Sequence, residues 1–201
     1  MLLLLAVALL QGCAGLTHQT APDVNYYSIA GDESGSLWVD GTQVRTGALP
    51  MYEIPALSLN LPAVNADVSR YNDILKFSHA QNVHLGKVVV ITGGKQIEQA
   101  IDMNNRCRNI VIDEAQLQEG QENALTIKGG CFAIEFGILS ITPGQGHCDI
   151  ELGGVSEQDP IDPTEAVRLR HVEMTDGRAC RLRVLNATAP TIDEGNVVTA
   201  W

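Results

Sequence analysis

A chain of 201 residues has room for one domain, or for one domain and an irregular arm. Hydrophobic residues make up 45% of it but aromatics only 4%, and with 19 glycines this favours aliphatic β-packing over a helical bundle. A formal charge of −11 argues against generic nucleic-acid binding, which needs a basic surface.

The chain opens on an aliphatic run, Met1–Leu10, followed by Gln11, Gly12, Cys13, Ala14 and Gly15. An apolar stretch ending at a cysteine that could carry lipid is similar to a bacterial lipoprotein signal. Two features depart from that pattern: no Lys or Arg precedes the run, and Gln11 stands where a small residue is usual. Even extended to Leu16 the run is shorter than the ~20 residues that span a bilayer. Residues 1–16 are therefore expected to be either an export and lipid-anchor segment or an apolar peg packed into an assembly.

Residues 17–86 read as an N-terminal arm or cap. One hairpin is legible in it: Ser36–Val39, the turn Asp40-Gly41, then Thr42–Arg45. Ala48–Val68 shows no sustained period and is expected to wrap as extended chain. Val68–Phe77 fits one helix.

From Lys87 the pattern changes. Lys87–Thr92 is a strand closed by Gly93-Gly94, and Lys95–Asn105 fits a short helix through Ile97, Ala100, Ile101 and Met103. Three similar segments follow, Ile110–Gly130, Ile134–Gly154 and Val167–Ala187. Each holds a strand, a second apolar stretch, a glycine at the same offset (Gly120, Gly144, Gly177) and another alternating strand. Recurrence of one supersecondary unit at this spacing is the signature of a solenoid.

Stacking the copies predicts Leu125, Cys148 and Cys180 in one inward column and Ile127, Ile150 and Leu182 in the next. Outward columns are then Thr126, Asp149, Arg181 and Lys128, Glu151, Arg183, with Val111, Glu135 and Arg168 on the other face. Opposite charges become neighbours, as strands ~4.8 Å apart require. This rung pattern, over Lys87–Trp201, resembles the pectate-lyase-like right-handed parallel β-helix superfamily. The fold class expected is mainly β: a short right-handed parallel β-helix of about four or five rungs, residues 87–201, behind an irregular arm with a β-hairpin.

The resemblance implies either polysaccharide-degrading enzymes or phage tail and virion appendage proteins. The residues that could serve catalysis are His147, Asp149, Arg168, His171 and Asp176, but no paired Asp cluster or calcium-type acidic cluster is legible among them. The charge pairs Asp149 with Arg181 and Glu135 with Arg168 are expected to be exposed and structural, with small stability losses on substitution. The double glycines 93-94, 129-130 and 153-154 lack the Lys-Ser/Thr of a phosphate loop and read as strand corners. No cysteine pair has zinc-ligand spacing and no GxSxG elbow occurs, so no metal or cofactor is expected.

Cys107 and Cys131, and Cys148 and Cys180, fall at equivalent positions of adjacent repeats. They are either disulfides or stacked buried thiols, depending on the compartment. The acidic loop Glu157–Thr164 reads as a solvated insertion or, since insertions gather on one face of repeat proteins, as a binding loop. The function expected is a non-catalytic structural or attachment protein, of a phage particle (appendage or decoration) or a bacterial envelope surface. The alternative is an exported polysaccharide lyase or glycosidase. Expected partners are other structural subunits, surface polysaccharide and, through Cys13, lipid.

Overall fold

The computed structural model describes residues 26–47, 50–60, 72–93, 97–144, 146, 148–154 and 162–199. Fifteen strands, and no helix, make up this part of the chain. They are β1 (Tyr27–Gly31), β2 (Leu37–Val39), β3 (Thr42–Arg45), β4 (Tyr52–Asn60), β5 (Asp73–Ser78), β6 (Gln81–Ile91), β7 (Gln99–Asn104) and β8 (Arg108–Gln118). Then come β9 (Asn123–Ile127), β10 (Phe132–Thr142), β11 (Ile150–Leu152), β12 (Glu165–Met174), β13 (Cys180–Val184), β14 (Thr191–Gly195) and β15 (Val197–Thr199).

From β4 onward the chain alternates between two sheets. The strands of three to six residues other than β14 form a nine-stranded sheet in the order β15-β13-β11-β9-β7-β5-β1-β2-β3, and the long ones, with β14 at the edge, a six-stranded sheet, β14-β12-β10-β8-β6-β4. Pairing is parallel throughout, apart from the antiparallel β1–β2–β3 edge. The fold is therefore mainly β and built from parallel sheets. The parallel ladders run back to β1 and β4, so the expected boundary at Lys87 falls inside β6, and residues 52–60 and 72–86 belong to the stack.

Like residues stack in columns. In the first sheet Leu75, Ile101, Leu125, Ile150 and Leu182 follow one another, and beside them Phe77, Met103, Ile127, Leu152 and Val184. In the second sheet the core column is Leu85, Ile112, Phe136 and Leu169. All of these are buried except Val184, which packs against the core from its edge. Each long strand carries two outward residues in succession at mid-length, Asp113-Glu114, Gly137-Ile138 and Arg170-His171 in β8, β10 and β12. The ladder skips one level there in every pair. Side-chain alternation is reset at that point, as at a strand corner. Gly137 is needed in this line: a Cβ on it would lie 2.3 Å from the Asp113 carbonyl oxygen.

The Asp40-Gly41 hairpin is present, with both turn residues at positive φ (46° and 75°), the backbone of a type I′ turn. The two helices expected from sequence are not. Gln99–Asn104 is β7, and of Val68–Phe77 the described residues are Asn72–Phe77, of which Asp73–Phe77 lie in β5. Every residue of β7 and five of six in β5 are buried, on both faces of the sheet. A strand buried on both faces loses period-two alternation, which is why these runs mimicked a helix.

The expected column register also needs correction. Leu125 pairs with Ile150, not Cys148, and Thr126 with Glu151, so the step between these strands is two residues longer than the sequence alignment gave. The extra length is absorbed in the loop between β10 and β11. An even shift preserves which residues face inward, and so could not be detected from alternation. The step from β11 to β13, Ile150 to Leu182, is as expected.

Candidate functional site

Two groups of polar residues stand out, on different sheets. The first is built where β8 ends and the loop before β11 folds over it. Glu119 follows β8 and is anchored by its backbone N–H on the Thr142 carbonyl (3.0 Å), while its own carbonyl accepts the Thr92 hydroxyl (3.2 Å). Its carboxylate accepts the Gly144 N–H. Gly146 has no room for a side chain, since a Cβ would lie 2.3 Å from Glu119 Oε1. The Gly144 and Gly146 pair thus lets the loop backbone close onto a buried carboxylate.

Asp149 stands beside Glu119 with no exposed side-chain surface. Arg178 Nη1 and Nη2 donate to its two oxygens (2.8 and 2.5 Å), and the Arg181 backbone N–H donates to Oδ2 (2.6 Å). Arg181 Nη2 reaches Asp149 Oδ1 (3.0 Å), Glu119 Oε1 (3.2 Å) and the Gly146 carbonyl (3.0 Å). Asp176 meets Arg178 from outside, at 3.5 Å. The two carboxyls are driven in opposite directions. Burial, with help from the Asp149 charge, raises Glu119. Burial works against Asp149 too, but the bonds from Arg178 and Arg181 prevail and hold it below the usual carboxylate value. Asp149 is therefore held as a carboxylate, matched by two guanidiniums.

The second group lies on the outward face of the long-stranded sheet. Arg168 donates from Nε and Nη2 to Asp193 Oδ2 (3.0 and 2.7 Å), Arg170 pairs with Glu135, and His171 Nδ1 stands 3.3 Å from Glu194. These side chains border two shallow depressions of about 330 and 350 Å³. One is lined by Val111, Glu135, Arg168 and Thr191, the other by Gly137, Ile138, Arg170 and His171.

The expected candidates are thus divided. Asp149 and Asp176 meet around Arg178, whereas Arg168 and His171 stand on the other sheet. His147 and Cys13 lie outside the described residues. Asp149 does neighbour Arg181, but as a fully buried group and not the exposed pair expected. Glu135 lies beside Arg168 in the ladder yet bonds to Arg170, because Asp193 takes the Arg168 guanidinium. Glu151 pairs with Arg183 at 3.2 Å, with Thr126 and not Lys128 as its other ladder neighbour. Sequence reasoning missed Glu119, Arg178, Arg170 and Asp193. The one usable signal for Glu119 was the Gly144–Gly146 spacing, which marks a close backbone approach.

Cys107, Cys131, Cys148 and Cys180 are all buried free thiols. Burial pushes Cys148 and Cys180 up to about 12 and raises Cys107 as well, where the Cys131 thiol adds to the effect. Among the described residues no group of three His, Cys, Asp or Glu side chains could hold a metal ion, and no helix is long and apolar enough to cross a membrane. No protein-family model, curated protein or solved structure matches this chain.

Proposed function

We propose that this chain is a right-handed parallel β-helix serving as a non-catalytic structural or attachment protein, a phage virion appendage or decoration component or a bacterial envelope surface protein. The hand follows from physical expectation: crossovers joining parallel strands of one sheet are right-handed in about 98% of cases, and β5 to β15 are joined by such crossovers alone. One observation carries the functional reading. Among the described residues, the charged groups that could have served catalysis have partners: Asp149 two arginines inside the protein, Arg168 Asp193, His171 Glu194 and Asp176 Arg178. A catalytic carboxylate must touch its substrate, and Asp149 and Glu119 have no exposed side-chain surface. The partners in this reading are other structural subunits and surface polysaccharide, with lipid attached at Cys13 where the chain is exported.

The test replaces Asp149 with Asn and Arg168 with Ala, and follows both urea unfolding and polysaccharide turnover. Asp149→Asn leaves two arginines without their buried counter-charge and is expected to cost about 3–5 kcal/mol. Arg168→Ala breaks a half-exposed pair and is expected to cost under about 1 kcal/mol. No turnover is expected, even from the parent. Depolymerisation by the parent that Arg168→Ala abolishes at unchanged stability would overturn this reading in favour of a lyase or glycosidase working at the face of Arg168 and His171.

A further inference from the structure

The four thiols fall into two facing pairs, each isolated from the other. Arg108 pairs with Phe132, and the Phe132 N–H donates to the Cys107 carbonyl (2.9 Å), so Cys107 and Cys131 share one level of adjacent strands. Ile150 pairs with Leu182, and Cys148 and Cys180 each lie two residues ahead of these partners, at the entrances of two adjacent parallel strands. The flanking members of each column are not cysteines. Ala80 and Thr164 bracket the first pair, Asn123 and Val197 the second. Each thiol therefore has a single cysteine neighbour. Adjacent strands hold Cα atoms about 4.8 Å apart, within the range a disulfide bridges. At present Cys107 Sγ donates to the Asn104 carbonyl (3.1 Å) and Cys148 Sγ to Asn123 Oδ1 (2.8 Å), weak bonds that oxidation would give up.

We propose that these pairs are a redox-closable staple: exchange with a small-molecule disulfide joins Cys107 to Cys131 and Cys148 to Cys180, locking β7–β8 to β10 and β11 to β13. In each pair one cysteine thiolate attacks the external disulfide, forming a mixed disulfide and releasing one external thiolate. The second cysteine thiolate then attacks the protein-side sulfur, the internal S–S bond forms, and the second external thiolate leaves. The two cysteines are oxidised, the external disulfide is reduced to two thiols, and the two protons lost by the cysteines are taken up by the departing thiolates. Burial makes closure slow at neutral pH and faster in alkali, where more thiolate is present.

The full chain carrying Cys13→Ser, kept folded as judged by circular dichroism, is incubated with oxidised glutathione at about pH 8.5, where a larger share of thiol is ionised. Residual thiols are counted by alkylation and the bonds mapped on peptides. The expected result is paired loss of thiols, bonds only between 107 and 131 and between 148 and 180, and a melting temperature raised by roughly 5–15 °C that dithiothreitol reverses. Cys131→Ala and Cys180→Ala should each remove one bond and spare the other; should a variant not fold, the bond map of the parent decides alone. A 131–148 bond, persistent mixed disulfides with glutathione, or a folded protein that closes neither pair would overturn the proposal.

Discussion

His84 stands between two carboxylates supplied by neighbouring strands, with Nδ1 2.5 Å from Glu53 and Nε2 3.0 Å from Asp113. Hydrogen bonding to Asp113 outweighs partial burial, and with Glu53 it raises the imidazole pKa. A group whose pKa rises on folding holds its proton more tightly in the folded chain. His84 therefore stabilises the fold fully below its unfolded value near ~6.5, and this contribution fades as pH climbs through the higher folded value. The parent should lose more melting temperature between about pH 6 and pH 8 than His84→Gln does; equal losses would show that the triad contributes nothing. Thr164 makes a complementary case. Its hydroxyl is fully buried beside Cys131, and Oγ1 has no hydrogen-bond partner among the described residues. Thr164→Val keeps the shape and removes the unpaired polar atom, so urea unfolding should show a gain of about 1 kcal/mol.

At the scale of the strand, one line of residues governs how the chain enters the long sheet. Asn82, Asn109, Ala133 and Ala166 occupy the same level of β6, β8, β10 and β12, and all have φ between 52° and 57°. Left-handed backbone is tolerated by Asn and costs an alanine roughly 1 kcal/mol. The Asn109 amide donates to Asn82 Oδ1 at 2.8 Å, a first step of a side-chain ladder that stops where alanine takes over. Ala133→Asn should extend the ladder and relieve strain, raising stability by about 0.5–1 kcal/mol in thermal or urea unfolding. A loss would mean that the side chain cannot align with Asn109. This line was invisible in the sequence, because alanine carries no turn signal. What was legible follows the same physics. Asp40-Gly41 announces its turn chemically, and the half-exposed β8, β10 and β12 alternate visibly, so inward and outward faces could be read. β5 and β7 could not, since burial on both faces erases alternation. Nor could the level of β9 against β11, where a two-residue slip keeps every face unchanged. The Asp149 cluster was half legible: its Arg181 partner came from the ladder, but Glu119 and Arg178 reach it from loops whose paths no periodicity encodes.

Across the molecule, each strand of either sheet bonds only to its immediate neighbours, so stability is transmitted step by step and the ends need separate protection. Arg45 supplies it at the β1–β3 end. Only 9% exposed, it donates Nε to the Gly35 carbonyl (3.1 Å), Nη1 to Pro50 and Asn82 (2.9 and 3.0 Å) and Nη2 to Gln81 (2.6 Å). One guanidinium thus ties the hairpin, the chain entering β4 and the start of β6 together through backbone carbonyls. Burial lowers its pKa, a cost offset by four charge-assisted bonds. Arg45→Met fills the same space but strands these acceptors, and should cost about 2–4 kcal/mol. In a nearest-neighbour stack that loss should be local. Amide exchange should quicken in β1, β2, β4 and the first residues of β6, while the protection of β8, β9 and β10 stays at the parent level. Uniform acceleration across all strands would instead mean that the two sheets unfold as one unit and that Arg45 supports the whole of it.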